Sequence, residues 1–351
     1  MATFKIKKKR LKEFIDNLTK EYRVFIPVES DGVASFMEIG DLRFDSYNTD
    51  RPPKEIFFPQ TEALLTYKEG EISSPEQAST EKIAIFGVRP CDAKSFSLLD
   101  RLFGMEPNVA KCSEYKDTYW INKRTNALIF TIGCNHPLST CFCNWLNGGP
   151  FNKEGTDLLL TDNGEDFLVE HCSKNGEEFI KTKGMPVQKA TKVDIKRASS
   201  IRKKAESTLS KPVDITSLKE DLDNLWDNPV WDEIAYKCLS CAACSYLCPT
   251  CYCFDIQDER AGNARGKRIR IWDSCMFSLF TKEASGHNPR PSSKERMRQR
   301  IMHKFNYFVE NLGEFGCVGC GRCIRSCPVN VDIREIINTI KNVKLTVSNE
   351  K

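Results

Sequence analysis

Cys238-Leu-Ser-Cys241-Ala-Ala-Cys244-Ser-Tyr-Leu-Cys248-Pro249 stands in the last third of the chain, and Cys317-Val-Gly-Cys320-Gly-Arg-Cys323-Ile-Arg-Ser-Cys327-Pro328 repeats its spacing position for position. Three cysteines at steps of three wrap a tight loop in which each thiolate can reach a different iron of one cubane. Small residues between them (Ala242, Ala243, Gly319, Gly321) let the backbone approach the inorganic sulfurs. The fourth cysteine, ahead of proline, points away and ligates the other cluster in proteins of this pattern. The expected ligand sets are therefore crossed. Cys238, Cys241, Cys244 and Cys327 hold one [4Fe-4S] cluster; Cys317, Cys320, Cys323 and Cys248 hold the second. A pair of zinc sites is the alternative for the same thiols.

Working outward, the spacer Thr250–Gly316 is longer than a compact ferredoxin requires and reads as mostly helical, so an all-helical dicluster ferredoxin-like domain is expected over 211–351. Residues 294–311 read as one amphipathic helix, and the basic residues from Arg260 to Lys304 as a solvated helical surface. Residues 1–210 read as a mixed α/β domain, giving an α+β chain. Ile83–Val88 and Ala127–Ile132 are apolar runs of strand length, and 189–225 is a lysine-rich helical connector. Asp157–Thr161 and Phe167–Glu170 flank Asn163-Gly164, a hairpin signal.

Cys91 follows the first of those strands and Cys134 the second; Cys141 and Cys143 come shortly after. If the strands are parallel neighbours, both emerge at the edge where open α/β sheets build their sites. These four thiols form a candidate third [4Fe-4S] site, with a structural zinc or unligated cysteines as the other readings. Asp92 suits the first turn of the helix that follows. Cys251, Cys253 and Cys275 lie outside both motifs and are read as packing groups beside a cluster, with a further metal site, for which no fourth ligand is evident, as the other reading. Cys112 and Cys172 show no partner pattern, and His136, His171, His287 and His303 form no metal or triad pattern.

Seventeen cysteines at such spacings, in a chain of 351 residues, suit metal thiolates in a reducing compartment rather than disulfides. The basic start Lys5–Arg10 runs into an amphipathic pattern and no apolar export segment, and no 18-residue apolar run occurs, so a cytoplasmic protein without a membrane span is expected. A net charge of +4 is far from a nucleic-acid footprint. No nucleotide-binding glycine fingerprint is present.

Taken together, Gly-Val-Arg-Pro-Cys91-Asp, Cys134-x6-Cys141-Phe-Cys143, Asp157-Leu-Leu-Leu-Thr161, Cys248-Pro-Thr-Cys251-Tyr-Cys253, Trp272-Asp-Ser-Cys275, Gly286-His-Asn288 with Arg290-Pro291, and the second cysteine motif make the chain resemble the iron–sulfur subunits of anaerobic sulfite reductases and of soluble hydrogenases (beta subunit, sulfhydrogenase type). The resemblance spans roughly residues 80 to 335. It implies an electron-relay subunit of a multi-subunit oxidoreductase of anaerobic metabolism. The implied partners are a catalytic metalloenzyme subunit on one side and, on the other, a flavin- and NAD(P)-binding reductase subunit. The resemblance retains the N-terminal cysteine quartet, in keeping with a third cluster. The rival is a reductase in its own right, with flavin or substrate bound by the N-terminal domain.

Overall fold

A computed structural model describes residues 3–38, 48–74, 81–106, 115–182 and 185–349. Its strands are β1 (Thr3–Lys7), β2 (Arg23–Ser30), β3 (Val33–Met37), β4 (Thr61–Lys68), β5 (Glu71–Ser73), β6 (Ile83–Val88), β7 (Ala127–Ile132), β8 (Leu158–Asp162), β9 (Asp166–His171), β10 (Gln188–Lys189), β11 (Phe254–Arg260) and β12 (Arg265–Trp272). Every residue of β6 and β7 is buried. A strand covered on both faces is what an unbroken apolar run encodes, and such strands sit in the parallel middle of a sheet. The order of the larger sheet is β10-β1-β9-β8-β7-β6-β2-β3. Strands β2, β6, β7 and β8 run parallel, and the expected β8–β9 hairpin pairs Leu158 with His171 through Asp162 with Phe167.

Each face of this sheet has its own core. Ala84, Phe86, Leu128, Phe130, Leu158 and Leu160 pack under the helices Lys8–Leu18 and Lys174–Thr182. Ile83, Ile85, Val88, Ala127 and Ile129 meet the helix Pro90–Leu102 through Ala93, Phe96 and Leu99. Pro90 occupies the first turn of that helix, where its missing N–H costs nothing. Burying a Phe96 or Leu99 side chain contributes about 1.5–3 kcal/mol, so this packing holds the helix, and Cys91 in its first turn, against the sheet.

The connector is two helices, Lys192–Thr208 and Leu218–Asp223, separated by an irregular stretch. The first carries a capping box between Thr191 and Asp194. The second joins a C-terminal core of Leu218, Leu222, Trp231, Ile301, Phe305 and Ile337.

The C-terminal region is not all-helical. Its spacer forms the β11–β12 hairpin, and β12 pairs antiparallel with β4 from the other half of the chain, Ile269 against Ala63 and Ile271 against Thr61. The helical expectation failed because β11 is exposed along its length and carries charged residues (Asp255, Asp258, Glu259, Arg260) with no buried face to show a period of two. The helix expected at 294–311 is one continuous axis, but it contains a π-turn at His303–Tyr307 between Ser293–Met302 and Phe308–Leu312. The carbonyl of Lys304 there accepts from Gly316 N at 2.7 Å, which anchors the loop entering the second cysteine motif.

Candidate metal centre

The two cysteine motifs fold alike. Ser240 and Ala242 take left-handed φ values of 54° and 66°, and Gly319 and Gly321 take 63° and 75°. Each loop then enters a single helical turn, Ala243–Tyr246 or Arg322–Arg325. In the second copy glycine is obligatory. A Cβ on Gly319 would stand 2.5 Å from the Phe142 carbonyl and Cys143 N, and one on Gly321 would stand 2.6 Å from the Thr140 carbonyl. The first copy places side chains at the same two positions and carries the backbone strain of a left-handed Ser240 and Ala242.

The motif thiols gather around two cavities, each lined by cysteines of both motifs, with Cys323 at both. Cys238, Cys241 and Cys244 line a narrow cavity of about 40 Å³ with Cys327. Cys317, Cys320 and Cys323 line another of about 10 Å³ with Cys248. Backbone N–H groups already point at sulfur: Ser240 N donates to Cys238 Sγ at 3.4 Å and Val331 N to Cys327 Sγ at 3.2 Å.

The N-terminal four also meet. Strands β6 and β7 are parallel neighbours, and Cys91, Cys134, Cys141 and Cys143 line one cavity of about 370 Å³ at their C-terminal edge. Cys320 of the second motif closes its far wall. Burial pushes the Cys134 thiol up to about 11 and the Cys143 thiol up to about 12, so both stay protonated until a metal takes the proton's place. The loop carrying Cys141 and Cys143 is pinned to the second motif, where Phe142 N donates to the Gly319 carbonyl at 2.9 Å, and Asn48, from the segment ahead of β4, donates Nδ2 to the Cys320 carbonyl at 2.8 Å. Among the described residues no three His, Cys, Asp or Glu side chains are grouped to hold a single metal ion. The thiols stand instead around the walls of cavities.

Charge between these cavities comes from residues that composition alone did not mark. Arg322 donates to Asp92 at 2.6 and 2.8 Å, and both side chains are fully buried. Asp92 is therefore the counter-ion of a motif residue as well as a member of a helix first turn. Arg296, Arg300 and Lys304 are buried, which corrects the reading of the basic stretch as solvated surface at its C-terminal end, while Arg260, Arg265, Lys267 and Arg268 are exposed on the β11–β12 hairpin. The three buried cations repeat every four residues on the same helix as Met297, Ile301 and Phe305, a spacing that places them on one inward face. Lys304 Nζ donates to Cys248 Sγ at 3.2 Å and to the Gly316 carbonyl at 2.8 Å. Burial alone would lower the Lys304 ammonium, but the Cys248 and Cys251 sulfurs hold its pKa above the ordinary lysine value. His303 donates to or accepts from Tyr252 Oη at 3.0 Å, and burial, with Lys304 and Arg300 adjacent, lowers it to about 4. Cys172 accompanies no other cysteine at these cavities, and Cys112 lies outside the described residues.

Thiols gathered around shared cavities, left-handed turns that aim N–H groups at sulfur, and buried cations suit an anionic thiolate-bound cluster. Fold and site together define an iron–sulfur electron-transfer subunit with a C-terminal dicluster region. Residues 237–331 match the family of 4Fe-4S dicluster domains. The chain is 30% identical over 344 residues to the sulfhydrogenase 2 subunit beta of Pyrococcus furiosus, covering 97% of this chain and 99% of that one. It belongs to the family of sulfhydrogenase beta subunits. No described helix is long and apolar enough to cross a membrane.

Proposed function

We propose that the chain passes single electrons along a row of three [4Fe-4S] clusters. The row connects a flavin subunit, which exchanges hydride with a nicotinamide, to a catalytic metalloenzyme subunit. The first cluster is held by Cys238, Cys241, Cys244 and Cys327, the second by Cys317, Cys320, Cys323 and Cys248, the third by Cys91, Cys134, Cys141 and Cys143. The observation that carries this reading is contiguity. The first and second cavities share Cys323, and the second and third share Cys320. Clusters supply one-electron transfer when bound; the chain's residues set burial, hydrogen bonding and charge around them. At the outer end of the first cavity Cys241 is exposed, beside Leu239 and Tyr236, which are 66% and 87% exposed. An apolar patch at a cluster edge suits docking of a redox partner.

Hydride transfer needs a two-electron carrier, which these residues do not supply. Purified anaerobically, the chain alone should keep its visible cluster absorbance when NADH or NADPH is added. It should bleach only after a flavin subunit is supplied. Rapid bleaching by nucleotide alone, with no flavin detected, would overturn the relay.

A further inference from the structure

We propose that Cys251, Cys253 and Cys275 form a further iron–sulfur site: a cubane held by three thiolates, with its fourth iron facing a cavity that admits a small anionic ligand. The proposal rests on the reading above only in that the chain carries iron–sulfur clusters at all.

The three cysteines are brought together by the hairpin that the sequence hid. Cys251 and Cys253 precede β11, and Cys275 follows β12. Phe254 pairs with Trp272 across the ladder, and Asp273 N donates to the Cys253 carbonyl at 3.0 Å. All three thiols line one cavity of about 260 Å³. Arg290, Gln299 and His303 also line it. They offer cationic and amide groups to a small anion and no fourth cysteine.

Charge gives the second, independent argument. Lys54, Arg300 and Lys304 are all buried around these sulfurs, at 2%, 4% and 3% exposure. Lys54 Nζ donates to the Cys251 carbonyl at 2.7 Å, and Arg300 Nη1 reaches Cys251 Sγ at 3.7 Å. Their partners here are sulfur, carbonyl oxygen, the Thr250 hydroxyl and, for Lys54, the Trp272 ring face at 4.2 Å, not carboxylates. A buried cation without a counter-charge costs several kcal/mol. The second cluster, through Cys248, answers Lys304. Lys54 and Arg300 remain, and both converge on Cys251. A disulfide between Cys253 and Cys275, or three neutral thiols, would supply no negative charge. A thiolate-ligated cluster would. Arg300 also lines the first and second cavities, and Lys304 the second, so the site branches from the row at these two residues.

The test uses the full-length chain, prepared anaerobically. Replacing all three cysteines (Cys251→Ser, Cys253→Ser, Cys275→Ser) should lower iron and acid-labile sulfide by about four each per chain. A Cys91→Ser, Cys134→Ser chain should lose its own set independently, so the result does not depend on the absolute count. Cyanide should shift one electron paramagnetic resonance signal of the reduced unsubstituted chain and find nothing to shift in the triple variant. Because three substitutions in a packed loop can impair folding, Cys253→Ser alone is the second variant. It should alter or remove one cluster signal and leave the others. Unchanged iron with an unchanged spectrum would overturn the site, as would zinc that the triple variant releases. A chain with no iron at all would sink the cluster row as well.

Discussion

The pair Asp92–Arg322 joins a helix start in the N-terminal half to the second cysteine loop, with both charges out of solvent. Such a pair adds little relative to an apolar replacement, but breaking it strands a charge. Arg322→Met should therefore lower unfolding free energy by about 3–5 kcal/mol in anaerobic urea titrations. Asp92→Asn added to it should recover part of that loss, since it removes the stranded carboxylate. A cost under about 1 kcal/mol would show that Asp92 is not left as a stranded charge when the arginine is removed. His303 gives a pH dependence whose sign follows from its depressed value. Between the ordinary histidine range and about 4, the unfolded chain binds a proton that the folded chain refuses. Stability contributed by neutral His303 is present above the unfolded value and is lost as pH falls through that window. The thermal midpoint of His303→Gln should fall less than that of the unsubstituted chain between about pH 6.5 and 4. Parallel curves would place the acid sensitivity elsewhere.

The repeated loop and the helix Ser293–Leu312 belong together. In the proposed arrangement each loop supplies three thiols of one cluster and sends its fourth across to the other; the helix lays Arg300 and Lys304 between the sets. Crossed ligation is thus a property of two loops facing each other, not of either one. Cys248→Ser should damage the cluster of Cys317, Cys320 and Cys323, although Cys248 lies closer in sequence to Cys238, Cys241 and Cys244. Electron paramagnetic resonance of the reduced variant decides it. Loss of the other signal, with this one intact, would contradict the crossed arrangement.

The two halves of the molecule are stitched at many places, among them the β4–β12 pairing, the Phe142–Gly319 contact and the buried ion pair. A fragment of 211–351 would expose the β12 edge and leave Arg322 without its carboxylate. It should take up less iron per chain, and aggregate more readily, than the full chain under the same anaerobic reconstitution. Equal loading and a monodisperse fragment would show that the dicluster region folds independently of the sheet.

Much of this was legible in the residues. Ligand spacing is local chemistry: a cysteine every third residue ahead of a Cys-Pro reports its cluster without reference to the rest of the fold. The parallel pair β6–β7 was equally plain, because burial on both faces leaves an unbroken apolar run. The meeting of Cys91 and Cys134 followed from that pairing. What depended on the three-dimensional packing was everything set by long-range charge and by edges. An exposed β11 leaves no periodic trace, and the alternation in β12 is only four residues long, so the spacer read as helix and the grouping of Cys251, Cys253 and Cys275 stayed hidden. A stripe of Arg296, Arg300 and Lys304 has the same letters whether it faces water or sulfur. Only the fold turns it inward, because the thiols that answer its charge come from loops far away in the chain.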